Sequence, residues 1–262
     1  MKLNKLWFLP ILLMGLMLTG CSNNKEKKAA PILTKSQVIK KSQKAFKSGQ
    51  VIQSIKLSTD TSSQTIIANT AFGGNNGTIF HINNQTTNKG KTQSSEEWIN
   101  MNNVFINGGG KWYRADLDTL SGHTYAELVD AIMNNKIISD PSSTLTKAYK
   151  MSRKGQTYTL TAKINDKKIM KDACQPIANT VGQSKNQEEI FKRILQYGKY
   201  QNMTVKMIVK DNKLVNCNIF TDLKVGKYMT ARFGQSYGNL GSHDFMKVPD
   251  NALNAKELPT KK

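Results

Sequence analysis

The sequence predicts an α+β fold in which a single curved antiparallel sheet, a half-open barrel, wraps over a few helices. Three observations carry that expectation. Alternating polar and apolar runs are separated by turns such as Asp211-Asn212 and Gly108-Gly109-Gly110, too short for the crossover that parallel neighbours need. A few segments repeat apolar residues at helical spacing, and each leaves a stripe that must be covered. The regular strand–helix alternation of a parallel sheet is missing, so helices and strands are expected in separate layers.

Thr34 is a suitable N-cap for a first helix over 35–47. There Val38, Ile39, Ser42, Ala45 and Phe46 share one face, lysines fill the other, and Gly49 supplies the end. In strand 51–58, Val51, Gln53, Ile55 and Leu57 alternate with Ile52, Ser54, Lys56 and Ser58. Segments 64–72 and 78–85 flank Gly73-Gly74-Asn75-Asn76-Gly77, a turn signal. Further strands are expected over 96–101, 104–107 and 111–114. Tyr125, Leu128, Val129 and Ile132 place a helix over 123–134. Two strands then straddle Lys154-Gly155. The second is the cleanest alternation in the chain, with Tyr158, Leu160, Ala162 and Ile164 against Thr157, Thr159, Thr161 and Lys163. Residues 166–181 read as helix, with a break or a new first turn at Pro176. Ser184-Lys185-Asn186-Gln187 matches a capping box before Ile190, Phe191, Ile194 and Leu195. Strands over 201–210, 213–224 and 227–235 close the domain.

The N-terminus reads differently from the rest. Lys2 and Lys5 precede a thirteen-residue apolar run over 6–18, interrupted only by Pro10 and Gly15. That run suits an export signal and is too short to span a membrane as a helix. Leu18-Thr19-Gly20-Cys21 resembles the bacterial lipobox, Leu-[Ala/Ser/Thr]-[Gly/Ala]-Cys, at all four positions. The resemblance implies cleavage before Cys21 and a diacylglyceryl group, carrying palmitate-like chains, on its sulfur. Two acyl chains anchor a protein stably where one is marginal. The expected organisation is a lipoprotein signal peptide over 1–20, a lipidated cysteine and basic tether over 21–33, and a single domain over 34–262. In the tether Lys25, Lys27 and Lys28 are opposed only by Glu26. Beside an anionic leaflet each such lysine adds about 1 kcal/mol of attraction.

With 38 Lys+Arg against 18 Asp+Glu, the formal net charge is +20 among 262 residues. That balance suits a nucleic-acid binder, a membrane-surface protein or an envelope protein. An exported, membrane-anchored chain leaves out nucleic acid. Removing the signal takes Lys2 and Lys5 with it, lowering the charge to +18. Lys56, Lys163, Lys206 and Lys210 alternate outward on strands, where they are solvated and blunt sheet edges. The same face suits anionic lipids or wall polymers.

Catalytic spacing is missing from the sequence. His81, His123 and His243 are far apart, and none sits in a His-x-His or His-Glu-x-x-His pattern. His81 in its strand reads as a structural histidine and His123 as a cap neighbour. Gly108-Gly109-Gly110-Lys111 lacks the first glycine of a phosphate loop, with Phe105 at that spacing, and reads as a hairpin turn. Asp116 and Asp118 lack the third carboxylate and turn glycine of a calcium loop and read as a solvated turn. No enzyme activity, catalytic residue, metal or cofactor is expected. Cys174, on a helix near Met170, Ile177 and Val181, and Cys217, between Val215 and Ile219, allow two readings: a helix-to-sheet disulfide or two buried free thiols.

Several features together resemble the LppX/LprG-type and LolA/LolB-type lipoproteins. They are the lipobox, the tether, the helix over 35–47, the strand meander, the hairpin Val104-Phe105-Ile106-Asn107 to Lys111-Trp112-Tyr113, and Val248-Pro249-Asp250-Asn251-Ala252. The similarity is one of layout and runs from Thr34 to Leu258. It implies a LolA-like half-open barrel packed on helices around a cavity for acyl chains. The apolar strand faces that would line such a cavity are Ile55, Leu57, Ile67, Phe80, Ile82, Tyr158, Leu160, Val205, Met207 and Val209, with Met133 and Met170 as helix partners. A filled core made of the same residues reads identically. The expected function is therefore a lipid-anchored protein on the outer side of the bacterial cell membrane, binding a hydrophobic or amphiphilic ligand. The alternative is a surface-tethered interaction or sensor module whose basic face contacts a protein or an anionic envelope polymer.

Overall fold

Two strand meanders, one from each half of the chain, meet edge to edge. The computed structural model describes residues 32–42, 47–117, 124–182 and 185–259. The first meander comprises β1 (Gly49–Ser58), β2 (Ser63–Gly73), β3 (Ile79–Asn88), β4 (Lys91–Ile99), β5 (Asn103–Gly108) and β6 (Lys111–Asp116). The second comprises β7 (Lys150–Lys154), β8 (Thr157–Ile164), β9 (Lys199–Lys210), β10 (Lys213–Val225) and β11 (Met229–Gly238). Pairing of β1 with β11, Ile55 opposite Phe233, fuses them into one sheet. The order is β12-β6-β5-β4-β3-β2-β1-β11-β10-β9-β8-β7, open at both edges. Every pairing is antiparallel except that of the two-residue β12 (Lys256–Glu257), which runs parallel to β6. This is the single antiparallel sheet that the turn spacing predicts.

Turn chemistry sets the register. Asp211 and Asn212 adopt φ of 50° and 63°, and Gly109 and Gly110 φ of 61° and 80°. Paired left-handed residues are what a two-residue hairpin needs to match strand twist. Gly108-Gly109-Gly110-Lys111 is thus the β5–β6 turn. Lys89 and Gly90, also left-handed at 47° and 76°, make the β3–β4 turn, so β4 starts at Lys91, ahead of the expected 96. Its polar opening Lys91-Thr92-Gln93-Ser94 carries no apolar alternation to signal a strand.

Seven helices complete the described residues: α1 (Lys35–Ser42), α2 (Tyr125–Ile132), α3 (Lys136–Ser139), α4 (Ser143–Ala148), α5 (Lys167–Thr180), α6 (Lys185–Tyr197) and α7 (Asp250–Leu253). Thr34 caps α1, its Oγ1 accepting from the Gln37 N–H at 3.3 Å while Gln37 Oε1 accepts from the Thr34 N–H at 2.9 Å. The helix is described to Ser42, and Ala45 and Phe46 lie outside the described residues. Gly49 opens β1 instead of ending α1. A Cβ there would meet Leu240 Cδ2 at 2.6 Å, so the missing side chain lets Leu240 close over the strand. Pro176 does not break α5. The carbonyl of Asp172, which loses its donor, belongs to an exposed residue, and Thr180 Oγ1 donates to the Pro176 carbonyl at 2.8 Å. Ser184 of the expected capping box lies outside the described residues. On α6, Phe191, Ile194 and Leu195 are buried but Ile190 is exposed.

Helix α5 lies across β1, β9, β10 and β11, with α2, α3 and α6 packed on it. The main core sits between these helices and one face of the sheet. A smaller cluster forms on the opposite, outer face, where Val248 and Ala252 of the C-terminal segment cover Phe105, Trp98 and Trp112. Arg114 of β6 holds that segment through Glu257. Among the described residues no helix is long and apolar enough to cross a membrane.

Candidate functional site

Alternation decides which side chains reach the helices. In β1, Val51, Gln53 and Ile55 are buried on the helix side while Ile52 and Lys56 point out. Register carries that parity across the sheet. Ile55 faces Ile66 in β2 and Phe233 in β11, Thr221 faces Met203, and Leu160 faces Met207. Of the predicted cavity residues, Ile55, Phe80, Ile82, Tyr158, Leu160, Val205, Met207 and Val209 are all buried in one continuous cluster. Leu57 packs against its margin.

Ile67 does not belong with them. It pairs with Ser54, one step out of phase with the Ile55–Ile66 pair, and so lies on the outer face. Two adjacent isoleucines in β2 left the parity ambiguous in sequence; the register puts Ile66 and Ala68 inward. Met170 is buried in the same core, and Met133 packs on its edge. These residues fill the space under α5 as packed core.

Within this face lies a polar group that alternation places but polarity disguises. Gln53 and Gln235 are cross-strand partners and both fully buried. Asn135, which caps α3, donates to Gln235 Oε1 at 2.6 Å, and Gln235 Nε2 donates to the Tyr237 hydroxyl at 2.8 Å. That hydroxyl donates in turn to the Ile132 carbonyl at 3.0 Å, tying the end of α2 to β11. Burial pushes the Tyr237 phenol far above its ordinary range. Gln53 Nε2 and Thr70 Oγ1 are buried without a hydrogen-bond partner. Farther along, Glu97 lies on the same face between Ile82 and Ile106. Burial raises its carboxyl above the usual carboxylate range, and the bond from Asn84 Nδ2 at 3.0 Å partly opposes that. Phase with Val51, Ile55, Phe233 and Tyr237 was the signal for Gln53 and Gln235.

Cys174 and Cys217 are buried free thiols, which decides between their two readings. Cys174 hydrogen-bonds near Thr221. Cys217 is four residues along the same strand, beside Tyr149 and Tyr237. Four strand residues span about 13 Å, well beyond the roughly 7 Å that a disulfide bridges between Cα atoms. Burial pushes both thiols up to about 12.

The core reaches the surface beside the end of α1. Ser42 Oγ lies 3.7 Å from Met207 Sδ. Next to it opens a hollow of about 540 Å³ bounded by Ser42, Leu214, Leu240 and Asn75, with Lys47, Lys213 and Asp244, which accepts from Ser48, also lining it. Sequence reasoning missed this hollow because its walls come from α1, three loops and β10. His243 belongs to the loop that bounds the hollow, between Gly241 and Asp244, its carbonyl beside Gly73. His81 stacks on Trp98 at 4.1 Å and bonds Glu96 at 2.9 Å, both on the outer face. His123, Asp118 and Cys21 lie outside the described residues. Among the described residues no three His, Cys, Asp or Glu side chains gather into a metal-binding group.

Fold and site thus define a class: an open antiparallel sheet backed by helices on one face, with an apolar interior between the layers. The chain belongs to the family described as a family of unknown function, DUF6612, whose model matches residues 28–257. No curated protein matches its sequence. Among solved structures it is similar to LprF from Mycobacterium bovis, at 11% identity and a TM-score of 0.43, covering 83% of this chain and 97% of that one. It is also similar to a LolA superfamily protein from Nitrosomonas europaea, at 11% identity and a TM-score of 0.26, covering 84% of this chain and 96% of that one.

Proposed function

We propose that this is a non-enzymatic lipoprotein, anchored through Cys21 to the outer side of the bacterial cell membrane, that takes up a hydrophobic or amphiphilic ligand between sheet and helices. The observation that carries the reading is the helix-side face itself. Apolar side chains dominate it from Tyr158 in β8 to Phe80 in β3, around the polar group at Gln53 and Gln235, and Met170, Met203 and Met207 line it. Methionine side chains rearrange at little cost, so α5 and the sheet can part around an acyl chain that replaces their contacts. The hollow beside Ser42 and Leu214 gives such a chain a way in, and Lys47 and Lys213 in its lining suit an acidic headgroup. Gln53 Nε2 and Thr70 Oγ1 offer unused polar contacts inside.

Native mass spectrometry of the protein purified from bacterial membranes tests this directly. The expected spectrum carries a releasable lipid in addition to the covalent acyl groups on Cys21. A protein with the covalent groups alone, from cells whose lipids are intact, overturns the ligand reading. A protein without them, recovered in the soluble fraction, overturns the anchor.

A further inference from the structure

The outer face of β7, β8, β9 and β10 carries a second hollow, of about 550 Å³, remote in chemistry from the core. Register assembles it. Lys150, Thr161 and Lys206 lie side by side on neighbouring strands. The next outward row is Lys163, Thr204 and Phe220. Lys206 and Lys163 are diagonal neighbours, whose Cβ atoms lie about 7–8 Å apart. Phe220 bounds the hollow and leans over Gly234, where a Cβ would meet its ring at 2.8 Å, while the Arg232 guanidinium lies 4.9 Å from the ring's centre and adds a further cation beside it.

The three cations repel one another across the sheet face, and β7, β8 and β9 contain no Asp or Glu to offset them. On β10, Asp222 faces Arg232 instead, at 3.7 Å. The uncompensated cations and the aromatic ring ask for opposite things of a ligand: an anion at one end and an apolar body at the other.

We infer that this hollow is a binding site for an anionic amphiphile, its acid group among Lys150, Lys163 and Lys206 and its chain over Phe220. The site is distinct from the interior proposed above and does not depend on it. Its volume falls within the range of small-molecule pockets, about 300–1,000 Å³. Thr161 and Thr204 lie between the lysines, and Asn218 stands opposite Lys206.

The test holds the full chain in neutral phosphatidylcholine nanodiscs and adds dodecyl phosphate below its micelle threshold. Lysine acetylation read by mass spectrometry is expected to slow about tenfold at Lys150, Lys163 and Lys206 when the probe stands at ten times its dissociation constant. Lys56 and Lys224 are expected to keep their rates. Phe220→Ala is expected to weaken the probe about tenfold, and the Lys163→Glu/Lys206→Glu pair to abolish protection. Those lysines are exposed, so the pair stays folded even if Phe220→Ala does not. Equal protection by dodecyl maltoside or by inorganic phosphate overturns the proposal. So does protection unchanged in the lysine pair, or protection that phosphatidylglycerol in the disc produces at Lys56 and Lys224 as well.

Discussion

Two buried polar side chains show opposite uses of the same interior. Tyr237 is fully satisfied, bridging Gln235, Asn135 and the Ile132 carbonyl. Tyr237→Phe keeps the ring but strands Gln235 Nε2 and that carbonyl, so stability should fall by about 1–3 kcal/mol, read as a lower denaturant midpoint. Glu97 is the reverse case, a carboxylate held where water is scarce. In the folded chain it binds its proton more tightly than in the unfolded chain. Between the ordinary carboxylate range and its raised value the native state carries the extra proton, so stability falls as pH rises through that window. Glu97→Gln keeps an acceptor for Asn84 and removes the charge. Its melting temperature should exceed that of the parent at neutral pH and converge with it in acid. A constant difference at all pH values would mean that Glu97 acts by shape alone.

At the scale of elements, α5 is the part that most shapes the interior, and it tolerates a proline in its middle. Pro176 withholds one N–H from the Asp172 carbonyl, and position 176 is only half-buried. An interior helical proline costs about 3 kcal/mol relative to alanine, and the stiffer unfolded chain returns about 1. Pro176→Ala should therefore raise stability by about 2 kcal/mol, checked by chemical denaturation. A drop would show that the ring's packing outweighs the bond it prevents. The hairpins are more exacting: Asp211 and Asn212 both occupy left-handed conformations, and the turn together with the register shift between Leu214 and Asn216 sets where Cys217 and Thr221 fall along β9.

Across the whole molecule, the pairing that matters most joins residues far apart in sequence. Strand β1 meets β11 along its length, Gln50 opposite Gly238 to Ser58 opposite Thr230. Around this seam lie Ile55, Phe233, Ile219 and Tyr237, all buried beneath α5. At the edges β12 has two residues, and β7 is mostly exposed. Amide exchange should be slowest at Ile55, Phe233 and Ile219 and fastest in β7 and β12. Equal protection at seam and edge would show that the sheet opens as one unit.

The sequence by itself determined the layers, because alternation of period two and helical stripes are local properties that follow from backbone geometry. It marked most hairpins through paired Gly, Asn and Asp, and nine of the ten residues it turned inward lie on the helix side, Leu57 at the margin. It could not resolve Ile66 from Ile67, since one residue of register reverses every side chain and only the partner strand chooses. It left the thiols open because their separation depends on how α5 lies along β10. Nor could it reveal either hollow: one gathers α1, β10 and three loops, and the other sets lysines from β7, β8 and β9 beside a phenylalanine from β10. The first set meets only when the two meanders close on each other, and the second only when β9 returns to pair with β8 after α5 and α6, both long-range events that no stretch of sequence records.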